Sequence, residues 1–171
     1  DRPGTQDQVI ESYGTIAGKT DNELSVAYPA SSKLTTAQKR WIEKDLSAFE
    51  RVLYSENYTD EQAGYAAYID VDSFVDYYLI NELAMISDAT HLSTYVYKDI
   101  GGKLKMAVWD FNNAFNNYQG TNYDTDEFFL TKGNWYDQLL KDQAFVDKVV
   151  ARYRQLRRDE WSDERLLGLI D

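Results

Sequence analysis

The chain has 171 residues, enough for one compact domain or one large lobe with a buried core. Hydrophobic residues make up 43% of it and aromatic residues 15%, a composition that is too rich in core-forming residues for a disordered protein. Acidic residues number 29 and basic residues 18, and the formal net charge of −11 argues against non-specific binding to nucleic acid or to an anionic membrane surface.

Two residue types limit the possible metal sites. Cysteine is absent and there is one histidine, which excludes disulfides, thiolate metal sites and histidine-rich metal sites. No apolar run approaches the roughly 20 residues of a membrane-spanning helix, so no membrane insertion is expected. The chain starts at Asp1 without a leader-like segment, and we expect a mature protein or a piece of a longer one.

The N-terminal part of the sequence predicts an entry segment followed by a helix. Residues 1–33 are weakly patterned, and we expect them to lie over the rest of the chain. Thr35 and Gln38 have the spacing of a capping box, and the apolar residues that follow recur at steps of three and four. We therefore expect an amphipathic helix over about 36–54, with Glu50 among the charged residues of its solvated face.

A second helix is predicted over about 71–86. It follows an irregular connection over 55–69, and Asp70 or Asp72 is placed to cap it, because a carboxylate accepts the free N–H groups at a helix start. The helix is apolar on nearly every side, which is typical of an element at the centre of a core.

Two alternating segments that meet at Gly101-Gly102 predict a β-hairpin over about 94–109. Glycine reaches the positive φ that tight hairpin turns need, so a glycine pair between such segments favours a hairpin. Asp88 precedes the first arm and Asp110 follows the second. Because both lie at the open end, we expect the hairpin to bring the two carboxylates toward each other.

The rest of the chain predicts a long loop and further helices. Residues 112–132 are polar and aromatic without periodicity, and loops of that length are usually functional or mobile. Helices are expected over about 134–140 and over 142–158, and Ser162 is expected to cap a last helix.

Asp88 and Asp110 are the candidates for chemistry. The chain carries no clear glycine-rich phosphate loop, Ser/His/Asp set or paired-carboxylate glycosidase motif. A carboxylate at the end of an apolar helix or of a buried strand is costly to desolvate unless a cation or hydrogen-bond donors compensate. From the residues alone two interpretations stay open, a structural role in a turn for each aspartate or a shared functional site.

Other candidate residues are better explained by structural roles. His91 is expected to lie at the surface or to contact a site residue from behind, and not to act as a catalytic base. Asp70 with Asp72, and the acidic run 124–127, lack the spacing of a calcium-binding loop, so helix capping and solvation are expected there. Four aromatic residues are expected in the core rather than stacked on sugars: Tyr95, Tyr97, Trp109 and Trp135.

An ordered series of short motifs spans the middle of the chain. It consists of Tyr77-Tyr78-Leu79-Ile80-Asn81-Glu82, Asp88, Leu92-Ser93-Thr94-Tyr95-Val96-Tyr97-Lys98-Asp99, Gly102-Lys103-Leu104, Val108-Trp109-Asp110-Phe111-Asn112 and Ala114-Phe115. With this series the chain resembles the spore coat protein H (CotH) family of atypical, secreted, bacterial protein kinases. Weaker matches upstream and downstream extend the resemblance over most of the chain.

The resemblance implies a fold and a division of roles. The fold class is α+β, mostly helical, with residues 1–171 forming a single kinase-like domain fragment: the larger, C-terminal lobe, with a central hairpin and surrounding helices. Asp88 matches the catalytic-loop aspartate that accepts the proton of the substrate hydroxyl. Asp110 matches the aspartate that binds the metal ion, and Asn112 and Ser93 are the further metal ligands that the resemblance suggests.

The resemblance also implies cofactors, partners and a location. It predicts Mg²⁺ and ATP as cofactors, Ser or Thr of a protein as phosphoryl acceptor, and an extracellular position or one on the cell or spore surface. The acidic net charge, by contrast, is the reason to expect no nucleic-acid partner. The family's smaller, nucleotide-binding lobe has no counterpart before residue 70, so we expect weak activity or none from this fragment alone.

A second function stays open beside the kinase. Ser93 stands where kinases commonly place a metal-binding Asn, and Asn112 stands where many CotH proteins have a second Asp. Both positions favour a non-catalytic extracellular module that keeps the fold and contacts proteins or polysaccharides through its 112–132 loop.

Overall fold

The computed structural model describes residues 8–20, 23–86, 88, 89, 92–117, 126, 128–131 and 135–170. The α-helices are α1 (Tyr13–Ile16), α2 (Thr36–Leu53), α3 (Val71–Ala84), α4 (Tyr136–Leu139), α5 (Gln143–Arg158) and α6 (Asp163–Leu167). The strands are β1 (Val9–Ile10), β2 (Leu24–Ser25), β3 (Tyr95–Tyr97) and β4 (Lys105–Ala107), and short 3-10 helices cover Ser31–Lys33, Tyr65–Ala67 and Phe111–Asn116. The predicted α+β class is confirmed. Within these ranges no helix is long and apolar enough to cross a membrane.

Helix α2 begins where the capping box predicts. The Thr35 side chain accepts the Gln38 N–H, and the Gln38 side chain accepts the Thr35 N–H at 2.8 Å, so two free donors at the helix start are bonded. Its apolar face is buried in the core, with Phe49 and Leu53 fully inaccessible to solvent. Glu50 is also fully buried, and its predicted position on the solvated face was wrong.

Helix α3 is the centre of the core, as predicted. The Asp70 side chain caps it by accepting the Ser73 N–H at 3.1 Å, and most of its apolar residues are buried. The helix ends at Ala84, two residues before the predicted limit, because Met85 adopts the left-handed conformation with φ 55°. Ile86 stays in the core although it is no longer helical.

The N-terminal segment is more ordered than its sequence pattern predicts. Strands β1 and β2 pair antiparallel, with Val9 opposite Ser25 and Ile10 opposite Leu24. Helix α1 lies against α2, where the Ser47 hydroxyl accepts the Tyr13 N–H at 3.0 Å. The weak pattern of this segment did not predict these two strands or the helix.

The predicted hairpin is confirmed in its arms and wrong in its turn. Strands β3 and β4 pair antiparallel, and Tyr97 lies opposite Lys105, which leaves a loop instead of a two-residue turn. Within that loop the Gly102 N–H donates to the Asp99 carbonyl at 2.9 Å, and Gly101 has φ 73°. Of the glycine pair, Gly101 alone has positive φ, which is the pattern of a turn with one left-handed position near its centre.

Three sets of contacts attach the hairpin to the helices. Leu104 bonds to the segment just before α3: its carbonyl accepts the Asp70 N–H at 2.8 Å, and its N–H donates to the Tyr68 carbonyl at 2.9 Å. The Ser73 hydroxyl accepts the Met106 N–H at 3.2 Å. On the other side, the Lys98 ammonium lies 2.7 Å from an Asp45 carboxylate oxygen on α2.

The C-terminal helices complete the core through aromatic side chains. Tyr136 in α4 is fully buried, its hydroxyl donates to the Phe74 carbonyl at 2.9 Å, and its ring contacts Phe145 of α5. Helix α5 has the predicted extent. Tyr153, which was predicted on its apolar side, is 45% exposed. Ser162 caps α6 as predicted, accepting the Arg165 N–H.

Candidate functional site

Asp88 lies in the turn that follows α3, with its side chain half-buried. Its carbonyl accepts the Leu92 N–H at 2.8 Å, which closes the turn. Its Oδ1 atom is buried, and no hydrogen-bond partner for it is present in the part of the chain that the structure describes. A buried, unbonded carboxylate oxygen is costly in a folded protein, so it marks a position where a substrate group or a cation would supply the missing contact.

The segment between Asp88 and the hairpin is held on α3. The Tyr77 hydroxyl lies 3.1 Å from the Thr94 hydroxyl, and Thr94 in turn donates to the Leu92 carbonyl at 2.9 Å. Ser93 between them is 9% exposed and has φ 48°. The predicted metal ligand Ser93 is therefore a nearly buried residue in a sharply bent segment.

Asp110 follows β4 in the left-handed region, with φ 58° and ψ 69°. Aspartate is one of the few residues other than glycine that tolerate this conformation. Phe111 packs against the core, whereas Asp110 is exposed. This backbone presents the carboxylate to solvent at the end of the hairpin.

Asn112 lies in the 3-10 segment directly after Asp110 and is exposed. Its carbonyl accepts the Asn117 side-chain N–H at 3.0 Å. The segment is kinked at Ala114 and Phe115, and Phe115 is 68% exposed with φ 55°. Asn112 and Asp110 therefore sit on one short, bent stretch of backbone.

The open end of the hairpin joins the two chain segments that carry the aspartates. Tyr95 lies opposite Ala107, and the Tyr95 ring meets the Trp109 ring edge-on with 5.6 Å between centroids. The chain that leads back to Asp88 and the chain that leads on to Asp110 thus leave the hairpin at the same end. The closeness of the two carboxylates themselves stays a prediction.

Backbone strain is concentrated around these positions. Among the described residues other than glycine, five have positive φ, and four of them flank or form the candidate site: Met85, Ser93, Asp110 and Phe115. Such conformations cost on the order of 1–3 kcal/mol each and are common where a functional geometry must be fixed. The fifth, Trp135, lies in the core.

The side-chain oxygens of Asp110 and Asn112 suit Mg²⁺ better than a metal ion whose ligands all come from the protein. Within the described residues no group of three or more His, Asp or Glu side chains is arranged to bind a metal. Magnesium is bound in many enzymes by one or two carboxylates, with waters and substrate phosphates as the other ligands. The exposed oxygens of Asp110 and Asn112 fit that requirement.

The structural roles expected for other candidates are confirmed in part. Asp70 caps α3. His91 and most of the acidic run 124–127 lie outside the described residues. Trp135 is buried as predicted, with 2% exposure, but Tyr97 and Trp109 are 50% and 55% exposed. The core position predicted for these two was wrong, because one side of the short hairpin faces solvent.

Two acids with backbone partners, the buried Glu50 and the half-buried Glu82, were not predicted as important. Glu50 accepts the Gly14 N–H at 2.7 Å and the Trp135 indole N–H at 3.1 Å. Glu82 in α3 accepts the backbone N–H groups of Phe129 and Leu130. The signal that would have found Glu50 is its place in the apolar stripe of α2, next to Phe49; Glu82 has no comparable signal.

A groove of about 530 Å³ lies between α3, the hairpin and α5. Its lining includes Tyr77, Tyr97, Val108 and Trp161, together with the ion pair of Arg152 and Asp76, whose nearest atoms are 2.7 Å apart. Neither Asp88 nor Asp110 is among the residues that line it. The groove is thus a feature separate from the two aspartates.

Comparison with known proteins identifies the family. Residues 13–171 match the family model described as CotH kinase protein. The chain belongs to the CotH kinase family, as its motifs predicted. No curated protein and no solved structure matches the chain significantly. The kinase-like arrangement of the fold therefore stays a prediction.

Proposed function

We propose that this chain is the larger lobe of an atypical protein kinase that transfers the γ-phosphoryl group of ATP to a Ser or Thr hydroxyl of a protein. The observation that carries the proposal is Asp88, a half-buried carboxylate whose Oδ1 has no described hydrogen-bond partner. The family match, which spans both aspartates, supports the same reading.

Asp88 has the chemistry of a base that orients a hydroxyl. The hydroxyl oxygen attacks the γ-phosphorus, its proton passes to the Asp88 carboxylate, and the bond to the bridging oxygen breaks to release ADP. Such transfer asks a protein mainly to position the reactants and to neutralise charge. The Asp88 carbonyl is bonded to the Leu92 N–H, and the Tyr77–Thr94 contact holds the segment that follows on α3, so the backbone around Asp88 is fixed.

Asp110 and Asn112 would hold Mg²⁺, and Ser93 is the third proposed ligand. The ion would neutralise the phosphate oxygens, which an acidic protein cannot do with its own net charge of −11. The left-handed backbone at Asp110 supports this role, since it exposes the carboxylate while Phe111 fixes the segment on the core.

The proposal also covers the rest of the protein and its location. We propose that a smaller, nucleotide-binding lobe belongs to the same protein, and that the protein acts outside the cell or on the cell or spore surface. Both statements rest on the family resemblance.

A non-catalytic interaction module is the second candidate. Exposed aromatic side chains favour it: Trp109, Phe115 and Phe128 are 55%, 68% and 66% exposed. Aromatic residues are enriched at protein interfaces. In this reading Asp88 and Asp110 would be remnants of the fold, and partner binding would not depend on ATP.

The test is phosphoryl transfer from labelled ATP with Mg²⁺ by the full-length protein. Myelin basic protein is a suitable acceptor, because a basic protein complements the acidic surface. Asp88→Asn should lower kcat roughly 10²-fold or more, as expected for loss of a general base, and leave ATP affinity unchanged. The matched control is Asp99→Asn, in the exposed turn at the closed end of the hairpin. Full activity in Asp88→Asn would remove Asp88 from this role.

A further inference from the structure

The groove between α3, the hairpin and α5 runs along one edge of β4. Its volume of about 530 Å³ is in the range of sites that bind a ligand. Three consecutive residues of the hairpin line it, Met106, Ala107 and Val108, and α3 and α5 form the facing walls. The groove therefore borders a stretch of strand backbone as well as side chains.

Two sets of bonds show the direction of the β4 backbone. Leu104, just before β4, bonds through its N–H and its carbonyl to the segment that precedes α3, and the Met106 N–H donates to the Ser73 hydroxyl at 3.2 Å. Both residues thus direct backbone groups away from β3. Because this direction alternates along an antiparallel pair, the bonds to β3 are made by Lys105 and Ala107.

Two backbone groups at this edge face away from β3. The Met106 carbonyl and the Val108 N–H belong to the two peptide units that flank the Ala107 α-carbon. Each unit is planar and trans, so both groups point opposite to the Ala107 groups that bond to β3. Among the described residues neither group has a hydrogen-bond partner. Such an open strand edge can accept a further extended chain through main-chain hydrogen bonds.

The side chains of the groove indicate the chemistry of that chain. Ile80 and Leu156 provide apolar surface, and Val108 is 50% exposed. The charged residues of the described lining are Asp76 and Arg152, which bind each other with nearest atoms 2.7 Å apart, so the lining has no net charge. A charged side chain would lose its water here without an unpaired opposite charge to bind, whereas an uncharged apolar side chain gains from burial.

We propose that the groove binds an extended, uncharged peptide segment of a partner protein. The backbone of the segment adds to the β4 edge at the Met106 carbonyl and the Val108 N–H, and its alternate apolar side chains pack on Ile80 and Leu156. The groove is separate from the two aspartates of the candidate site. Binding is therefore independent of the proposed kinase function and requires neither ATP nor Mg²⁺.

A random heptapeptide library displayed on phage is the probe, and it would be selected on the full-length protein without nucleotide. We expect the enriched peptides to be uncharged, with apolar residues at alternate positions, because alternate side chains of a strand share one face. A synthetic copy of one enriched peptide would then be titrated by fluorescence anisotropy. Absence of enrichment, or enriched peptides without this pattern, would overturn the proposal.

Val108→Glu tests whether the peptide binds in the groove, since it places a charge in the lining at a half-exposed position. It should weaken peptide binding about tenfold or more. Val150→Glu, at a position on α5 that is 38% exposed and outside the lining, is the matched control and should bind as wild type does. Circular dichroism would establish that both variants are folded. Undiminished binding in Val108→Glu, or an equal loss in Val150→Glu, would contradict the site.

Methylation of single amide nitrogens in the peptide tests the strand addition without any change to the protein. A strand that adds to an edge directs alternate N–H groups toward it, so methylation should abolish binding at alternate positions and leave it nearly unchanged at the positions between. Equal tolerance at every position would refute the addition to β4. Analytical ultracentrifugation tests the other occupant: a wild-type dimer that Val108→Glu dissociates would assign the groove to a second copy of the chain and overturn the proposal.

Discussion

At the scale of single residues, Glu50 shows how tightly the N-terminal segment is fitted to the core. Its carboxylate accepts one N–H from Gly14 and one from the Trp135 indole. A Cβ atom added at Gly14 would lie 2.8 Å from the nearer carboxylate oxygen, so a larger residue does not fit there without movement of Glu50. The acid thus joins α1, α2 and the Trp135 region at one buried point.

Replacing Glu50 by alanine should destabilise the fold strongly. Glu50→Ala leaves two buried donors unbonded, and we expect a loss of roughly 2–5 kcal/mol in the free energy of unfolding. Urea denaturation followed by circular dichroism measures it, with the exposed Glu56→Ala as control. A loss no larger than that of the control would show that water or another group satisfies both donors.

The residues of the candidate site differ in how far sequence predicts them. Asp88 and Asp110 stand at the ends of patterned elements and within recognisable motifs, so local sequence suffices to select them. The partners of Glu50 lie 36 and 85 positions away along the chain, and a partner of Glu82 lies 47 positions away. No local sequence pattern predicts partners at such distances. Their importance follows from tertiary contacts alone.

At the scale of elements, helix starts are set by local chemistry. Side-chain caps at Thr35, Asp70, Asp142 and Ser162 begin α2, α3, α5 and α6, and each is a type of residue that prefers this position. For this reason the pattern of the sequence predicts the start of each of these four helices.

Loss of the α2 cap should cost a modest amount of stability. Thr35→Ala removes the acceptor for the Gln38 N–H, and we expect the free energy of unfolding to fall by about 1 kcal/mol. Thr36→Ala, one residue later and outside the cap, is the matched control. The free energy of unfolding of both variants would be measured by chemical denaturation, and equal stability of the two would mean that the Thr35 side-chain cap contributes nothing.

The β elements are less predictable. Strands β1 and β2 have two residues each, too few to display an alternating pattern. The hairpin arms alternate and were predicted, but Tyr97 pairs with Lys105, and Leu104 in the connecting loop bonds to the segment just before α3. The spacing of the glycines along the sequence does not reveal such tertiary contacts, so it did not predict the longer loop.

At the scale of the whole molecule, exposed ion pairs join the central helix α3 to α5. Asp72 and Asp76 of α3 pair with Lys148 and Arg152 of α5, with nearest atoms 2.9 Å and 2.7 Å apart. Such exposed pairs contribute little to stability, typically below about 1 kcal/mol. In the proposed kinase, a cation such as Mg²⁺ would neutralise the phosphates of the nucleotide, since the protein's own net charge is −11.

The most direct test of the kinase account is calorimetric titration of the full-length protein with ATP, with and without Mg²⁺. We predict binding that requires Mg²⁺ and that falls about tenfold or more in Asp110→Asn, a loss of at least about 1.4 kcal/mol. Asp99→Asn, at the other end of the same hairpin, should bind as wild type does. Absence of Mg²⁺-dependent ATP binding in the wild type, or undiminished binding in Asp110→Asn, would contradict the account.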